Sequence, residues 1–245
     1  MTAEPEAETP APPPSHRWGI GAFLLVEAVL LASAAFISAI LQPTGSDNSS
    51  LTAVIVLGSV LPGVIAAGVA LLITRLRGNG PRIDLRWSYK RKDFWVGLKF
   101  GLIGLVLTTV AAMVWTKLVG PENATSNFSA LVDQHPLPAY AAVIMFVYAW
   151  LIGPLCEEII FRGLLWGALE RLGWGRWAVF GLSTAVFAVS HLEPLRTSLL
   201  IVIGIPIGLA RLVTGRLGAS VVAHSVNNFA PALTVLLVSL GVMSA

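Results

Sequence analysis

The sequence predicts an all-α fold, a polytopic transmembrane helical bundle of about seven spans, and three observations carry that expectation. Of 245 residues, 56% are hydrophobic and only 12% are charged, with a mean hydropathy of +0.79, far from the balance of a water-soluble domain. The apolar residues fall into runs near or above the length that crosses about 30 Å of hydrocarbon as a helix. The Lys and Arg residues collect in alternate connections between those runs, as cytoplasmic loops require.

Met1 to His16 are rich in Pro, Ala and Glu, with too little apolar bulk to form a core, and predict a disordered tail bounded at residue 18. The first run, Gly19 to Leu41, is long for a signal-peptide core and reads as a signal anchor. Further spans are expected at Leu51–Thr74, Phe94–Leu118, Pro138–Leu172, Trp177–Leu192, Leu195–Val213 and Leu217–Val242, the fifth being short. Residues 19–137 thus form an N-terminal helical part and 138–242 a core that carries the chemistry. Pro138 to Leu172 exceeds one perpendicular crossing, so Gly153 and Pro154 are expected to bend it or split it in two.

Charge sets the expected orientation. Arg75, Arg77, Arg82, Arg86, Lys90, Arg91 and Lys92 follow the second span, Arg171 and Arg176 the fourth, and Arg211 and Arg216 the sixth. That alternation predicts a cytoplasmic N-terminus and an external C-terminus. The 75–92 segment, with Trp87 and Tyr89, is expected to lie on the inner membrane surface among anionic headgroups. The net charge of +3 is explained by these loops, and no nucleic-acid partner is expected. The single Cys156 allows no internal disulfide and reads as a small packing residue.

Within the later spans stand Glu157, Glu158, Arg162, His191 and His224, ionisable groups that cost roughly 2.5 to 3.5 kcal/mol each at mid-bilayer on insertion scales. Glu157 lies 17 residues before Trp174 and His191 lies 17 after it, so an antiparallel hairpin sets them at one depth. Asn228, 14 residues beyond Thr214, reaches a comparable level. Helical spacing puts Glu158 and Arg162 on one face, where they neutralise one another, and leaves Glu157 as the better candidate for chemistry. His224 and Asn228 form one ridge, from which Asn227 diverges. Phe187 stacks one turn from His191.

These residues read as EExxxRG at Glu157 to Gly163, FxxxH at Phe187 to His191 and HxxxN at His224 to Asn228. Three motifs in this order on three apolar segments resemble the CPBP family of intramembrane endopeptidases, the CAAX protease or ABI family that includes enzymes like CAAX prenyl protease 2. The resemblance covers residues 138–242. It implies hydrolysis of a peptide bond in a membrane-associated protein or peptide, and the residue types suit that reaction. Glu157 is the candidate base for water, with His191 orienting that water; His224 and Asn228 are candidate oxyanion donors, and Glu158 with Arg162 tunes Glu157. A metal-independent reaction is favoured. Zn2+ held by Glu157, His191 and His224 is the alternative, although the HExxH spacing of zincins is absent. No GxSxG, SxxK or GxGD pattern points to a serine or aspartyl protease.

Two other classes share these features: a catalytically silent scaffold or immunity protein on the same fold, and a proton-coupled transporter relaying protons through Glu and His. No inverted repeat supports the latter. Gly204 and Gly208 read as a packing ridge. Glu27 and Lys99 read as snorkelling residues near span ends, and Glu193 as solvated in an external loop. The expected location is a bacterial plasma membrane.

Overall fold

The computed structural model describes residues 16–41, 48–88 and 90–243. Most of the expected tail, Tyr89 and Ser244 lie outside these residues. The principal helices are α1 (Ile20–Ile40), α2 (Asn48–Arg77), α3 (Arg91–Val119), α4 (Asn127–Gln134), α5 (Ala139–Arg171), α6 (Arg176–Val189), α7 (Thr197–Thr214) and α8 (Leu217–Ser239). Six of them, α1, α2, α3, α5, α7 and α8, are long and apolar enough to span a membrane, and α6 is a shorter apolar helix of 14 residues. The chain is an all-helical integral membrane protein, in keeping with about seven spans.

The second half of α5 sits at the centre: Ile159 to Leu165 are all buried, packed between Phe23 and Val26 of α1, Ala66 and Ala70 of α2, and Phe187 of α6. It neither breaks nor splits at Gly153 and Pro154, but runs on for 33 residues. Two π-helical turns, Tyr148–Ile152 and Ile159–Leu165, absorb the disturbance on either side of the Glu pair.

Each return from π to α winding leaves one carbonyl without a following N–H, and each is taken by a side chain. Gly153 N–H bonds the Tyr148 carbonyl, so the next carbonyl, Ala149, falls to Pro154, which has no N–H. Asn228 Nδ2 of α8 donates to it instead at 3.2 Å. Trp166 N–H bonds the Phe161 carbonyl, and the next carbonyl, Arg162, accepts from Arg211 Nε of α7 at 3.0 Å.

α3 lies against α7 and α8 through glycines that the sequence reading passed over. A Cβ on Gly97 would stand 2.6 Å from the Ala219 carbonyl, one on Gly101 2.6 Å from Val226 Cβ, and one on Gly104 2.9 Å from Pro206 Cγ. The expected ridge on α7 behaves alike, with Gly204 against Thr184 and Gly208 against Phe180 of α6.

The basic loops gather at one end of the bundle. Arg17 N–H bonds the Arg77 carbonyl at 2.8 Å, Arg86 pairs with Glu170 at 2.9 Å, and Arg216 Nε bonds Asp93 at 2.8 Å. Trp18, assigned to the tail from sequence, is buried there and donates to Asp84 at 3.0 Å. The basic segment packs onto the bundle: Leu85 is fully buried and lies against Gly163 of α5. At the opposite end, Glu193 accepts from the backbone N–H of Asn127 at 2.8 Å and pairs with Arg196. Glu193 is therefore a bound, half-buried tether and not the solvated loop residue expected, because the 3-10 turn at Pro194–Arg196 folds Arg196 back onto it.

Candidate active site

Glu158 and Arg162 form the inaccessible floor of the site. Both are fully buried, and Arg162 Nη1 donates to Glu158 Oε1 at 3.0 Å, the contact their four-residue spacing predicts. Arg162 also donates from Nη2 to the Gly204 carbonyl at 3.3 Å and lies 4.4 Å from the Phe187 ring centroid. An ion pair so desolvated depends on its remaining hydrogen-bonding capacity; these contacts use part of it, while Glu158 Oε2 and Arg162 Nε have no partner among the described residues.

His224, itself buried, bridges the two carboxylates. Its Nδ1–H donates to Glu158 Oε1 at 3.0 Å, and its Nε2 faces Glu157 Oε2 at 3.6 Å, too far for a direct hydrogen bond. Glu157 keeps 35% of its side-chain exposure where Glu158 keeps none. A single step along α5 thus seals one carboxylate and leaves the other accessible.

His191 stands at the C-terminal end of α6. Its Nδ1–H donates to the Phe187 carbonyl at 2.8 Å; a carbonyl only accepts, so Nδ1 carries the hydrogen and Nε2 of the neutral ring is an acceptor. Phe187 organises the group. Its ring meets His191 edge-on at 4.7 Å, His224 at 5.7 Å and Phe161 at 5.3 Å between centroids, besides its contact with Arg162.

Glu157, His191, His224, Asn227 and Asn228 line one cavity of about 470 Å³. Its walls are apolar, with Leu199, Leu200 and Ile203 from α7 and Pro231, Ala232 and Val235 from α8. Ser126, Ser129, Glu193 and Arg196 line the same space from the end opposite the basic loops. A larger cavity of about 570 Å³, beside the start of α2 and residues 134–140, contains none of the site residues.

All six residues singled out from the motifs come together, but in two layers. Glu157, His191, His224 and Asn228 border the cavity, whereas Glu158 and Arg162 lie beneath it. Sequence spacing missed three others. Asn227 borders the cavity alongside Asn228, because the space is wide enough to meet two adjacent faces of α8. Thr108 of α3 borders it too and gave no motif. Glu27 does not snorkel: one of its carboxylate oxygens is buried without a partner, with Ser190 and His191 as polar neighbours.

Both imidazoles hold Nδ1 on a partner and leave Nε2 clear, as metal ligands would. Among the described residues, however, no three of His, Cys, Asp and Glu converge as a metal-binding group.

The fold and site define a helical membrane protein whose acidic and imidazole groups border an apolar-walled cavity. Residues 139–230 match the family model described as type II CAAX prenyl endopeptidase Rce1-like. The membrane-embedded CAAX protease MroQ of Staphylococcus aureus (strain USA300) is 26% identical over 172 residues, 67% of this chain and 68% of that protein. No solved structure gives a significant match. Both matches make the chain similar to the CPBP, or CAAX protease, family.

Proposed function

We propose that this chain is an intramembrane endopeptidase that hydrolyses a peptide bond of a membrane-associated protein or peptide, with Glu157 activating the water. The observation that carries the reading is the division of the Glu pair: Glu157 opens to the cavity, while Glu158 is sealed beneath it. Water held between Glu157 and His191 Nε2 loses a proton to Glu157 as its oxygen attacks the peptide carbonyl. The resulting oxyanion is met by the Asn228 amide and by His224 Nε2–H when that ring holds its second proton. Glu157 then passes its proton to the leaving amine. The apolar walls suit a substrate segment delivered from the bilayer.

No step is routed through a metal. Zinc, if resident, would be held by Glu157, His191 and His224 and would supply an acidified water. The test uses the purified chain in detergent with a quenched fluorescent mixture of apolar peptides. Wild-type protein should cleave, Glu157→Gln should not, and a strong chelator should leave the rate unchanged. One zinc per chain, whose removal and return switches cleavage off and on, would overturn the metal-independent part. Cleavage surviving Glu157→Gln would overturn the assignment of the base.

A further inference from the structure

Asn227 and Asn228 are neighbours on α8, and the structure uses their amides differently. Asn228 spends one N–H on the Ala149 carbonyl of α5. Asn227 turns the other way, towards α3, where Thr108 Oγ1–H donates to its Oδ1 at 3.1 Å. One turn earlier on α3, Gly104 makes room for that carbonyl: a Cβ there would stand 3.3 Å from Asn227 Oδ1.

An amide whose oxygen is held on α3 points its nitrogen away from α3. Asn227 is 3% exposed and borders the cavity, and its Nδ2 has no hydrogen-bond partner among the described residues, nor is that atom sealed from the cavity. A buried primary amide with both N–H groups unused calls for a ligand or water to take them. The cavity is the space in which that ligand sits.

We propose that Asn227, oriented by Thr108, is a further donor to the carbonyl oxygen of the peptide held in the cavity. The proposal rests on the endopeptidase reading and adds to it a residue at an unspecified position of the HxxxN motif. Thr108 is a positioning residue: with its hydroxyl donating to the amide oxygen, the N–H pair of Asn227 is turned from α3. With Asn228, the two side chains offer three N–H groups to the negative charge that develops on that oxygen.

The experiment measures kcat and KM of the full-length protein in detergent with the same quenched peptide mixture. Asn227→Asp keeps the shape and the Thr108 contact but replaces the N–H pair with an acceptor, and should lower kcat by on the order of 10² to 10³ fold with little change in KM. Thr108→Val keeps the volume and frees the amide to rotate, and should lower kcat about ten- to a hundredfold. Thr108→Ser, which returns the hydroxyl, should restore most of it. A purely structural contact would instead reduce folded yield and melting temperature while leaving the rate per folded molecule unchanged, and that result would overturn the proposal. If Asn227→Asp does not fold, a folded Thr108→Val protein with wild-type kcat overturns it equally. Wild-type protein that cleaves through Glu157 while Asn227→Asp matches it defeats this inference alone; wild-type protein that cleaves nothing defeats the endopeptidase reading and this inference together.

Discussion

Removing the Arg162 guanidinium should damage the fold more than removing the Glu157 charge, although the two residues stand five positions apart on one helix. Arg162 is fully buried and neutralises Glu158 at 3.0 Å, donates to the Gly204 carbonyl at 3.3 Å and covers the Phe187 ring. In Arg162→Ala the Glu158 carboxylate remains without exposure, with one oxygen already unpartnered and His224 as its remaining donor. Breaking a buried pair from one side costs about 3 to 5 kcal/mol, so the unfolding equilibrium should shift by roughly 10² to 10³·⁵ fold. Glu157 loses no hydrogen bond in Glu157→Gln and is one-third exposed, which limits that change to less than about 1 kcal/mol. Thermal melting and folded yield in detergent should therefore fall sharply for Arg162→Ala and for Glu158→Gln, and barely for Glu157→Gln. The double variant Glu158→Gln with Arg162→Met, which removes both charges, should recover much of the loss. Equal melting for all single variants, or no recovery in the double variant, would refute the reasoning.

Gly101→Val should separate α3 from α8, since its first added carbon already meets Val226 at 2.6 Å; the expected loss is about 1 to 3 kcal/mol by melting, whereas Gly21→Ala, with no atom within 4 Å, should be neutral or slightly stabilising. Cysteine scanning should place Ser88 on the cytoplasmic side, protected from an impermeant reagent in intact cells, and Ser129 at the cavity mouth on the external side, reactive. The opposite labelling would invert the orientation drawn from the loop charges. Arg211→Met should leave the Arg162 carbonyl without its donor and lower both stability and cleavage, and measuring the two together checks whether the π-turn is held as described.

The parts of the site that were legible in the sequence obey regular helical spacing. Glu158 with Arg162, Phe187 with His191, and the common depth of Glu157 and His191 follow from four-residue contacts and from hairpin counting. The glycines of α3 were legible in principle, since Gly97 and Gly101 keep the small-residue spacing that lets helices approach closely. Other features depend on irregular backbone. Gly153 and Pro154 announce a disturbance but not its form, so neither the two π-turns nor the Asn228 and Arg211 side chains that complete them were foreseeable. Asn227 and Thr108 escaped because their pairing spans 119 positions. Glu27 escaped because an acidic residue early in an apolar run looks the same whether it snorkels or meets Ser190 from a neighbouring helix.

The two π-turns also make α5 a rotational gauge. A π-turn takes up one residue more than an α-turn over the same closure, so Tyr148–Ile152 and Ile159–Leu165 set the angle at which the Glu pair faces relative to the helix on either side. Were Ile159–Leu165 to relax to ordinary α winding with all its residues kept, everything on one side would swing by about 100°. Arg162 and the aromatic residues Phe161 and Trp166 would then leave their partners on α6 and α7 while Glu157 kept its own. The phase between Pro154 and Trp166 is therefore held by the wide winding of the turn, and the surplus residue it stores is what aims Arg162 and Trp166 at their partners.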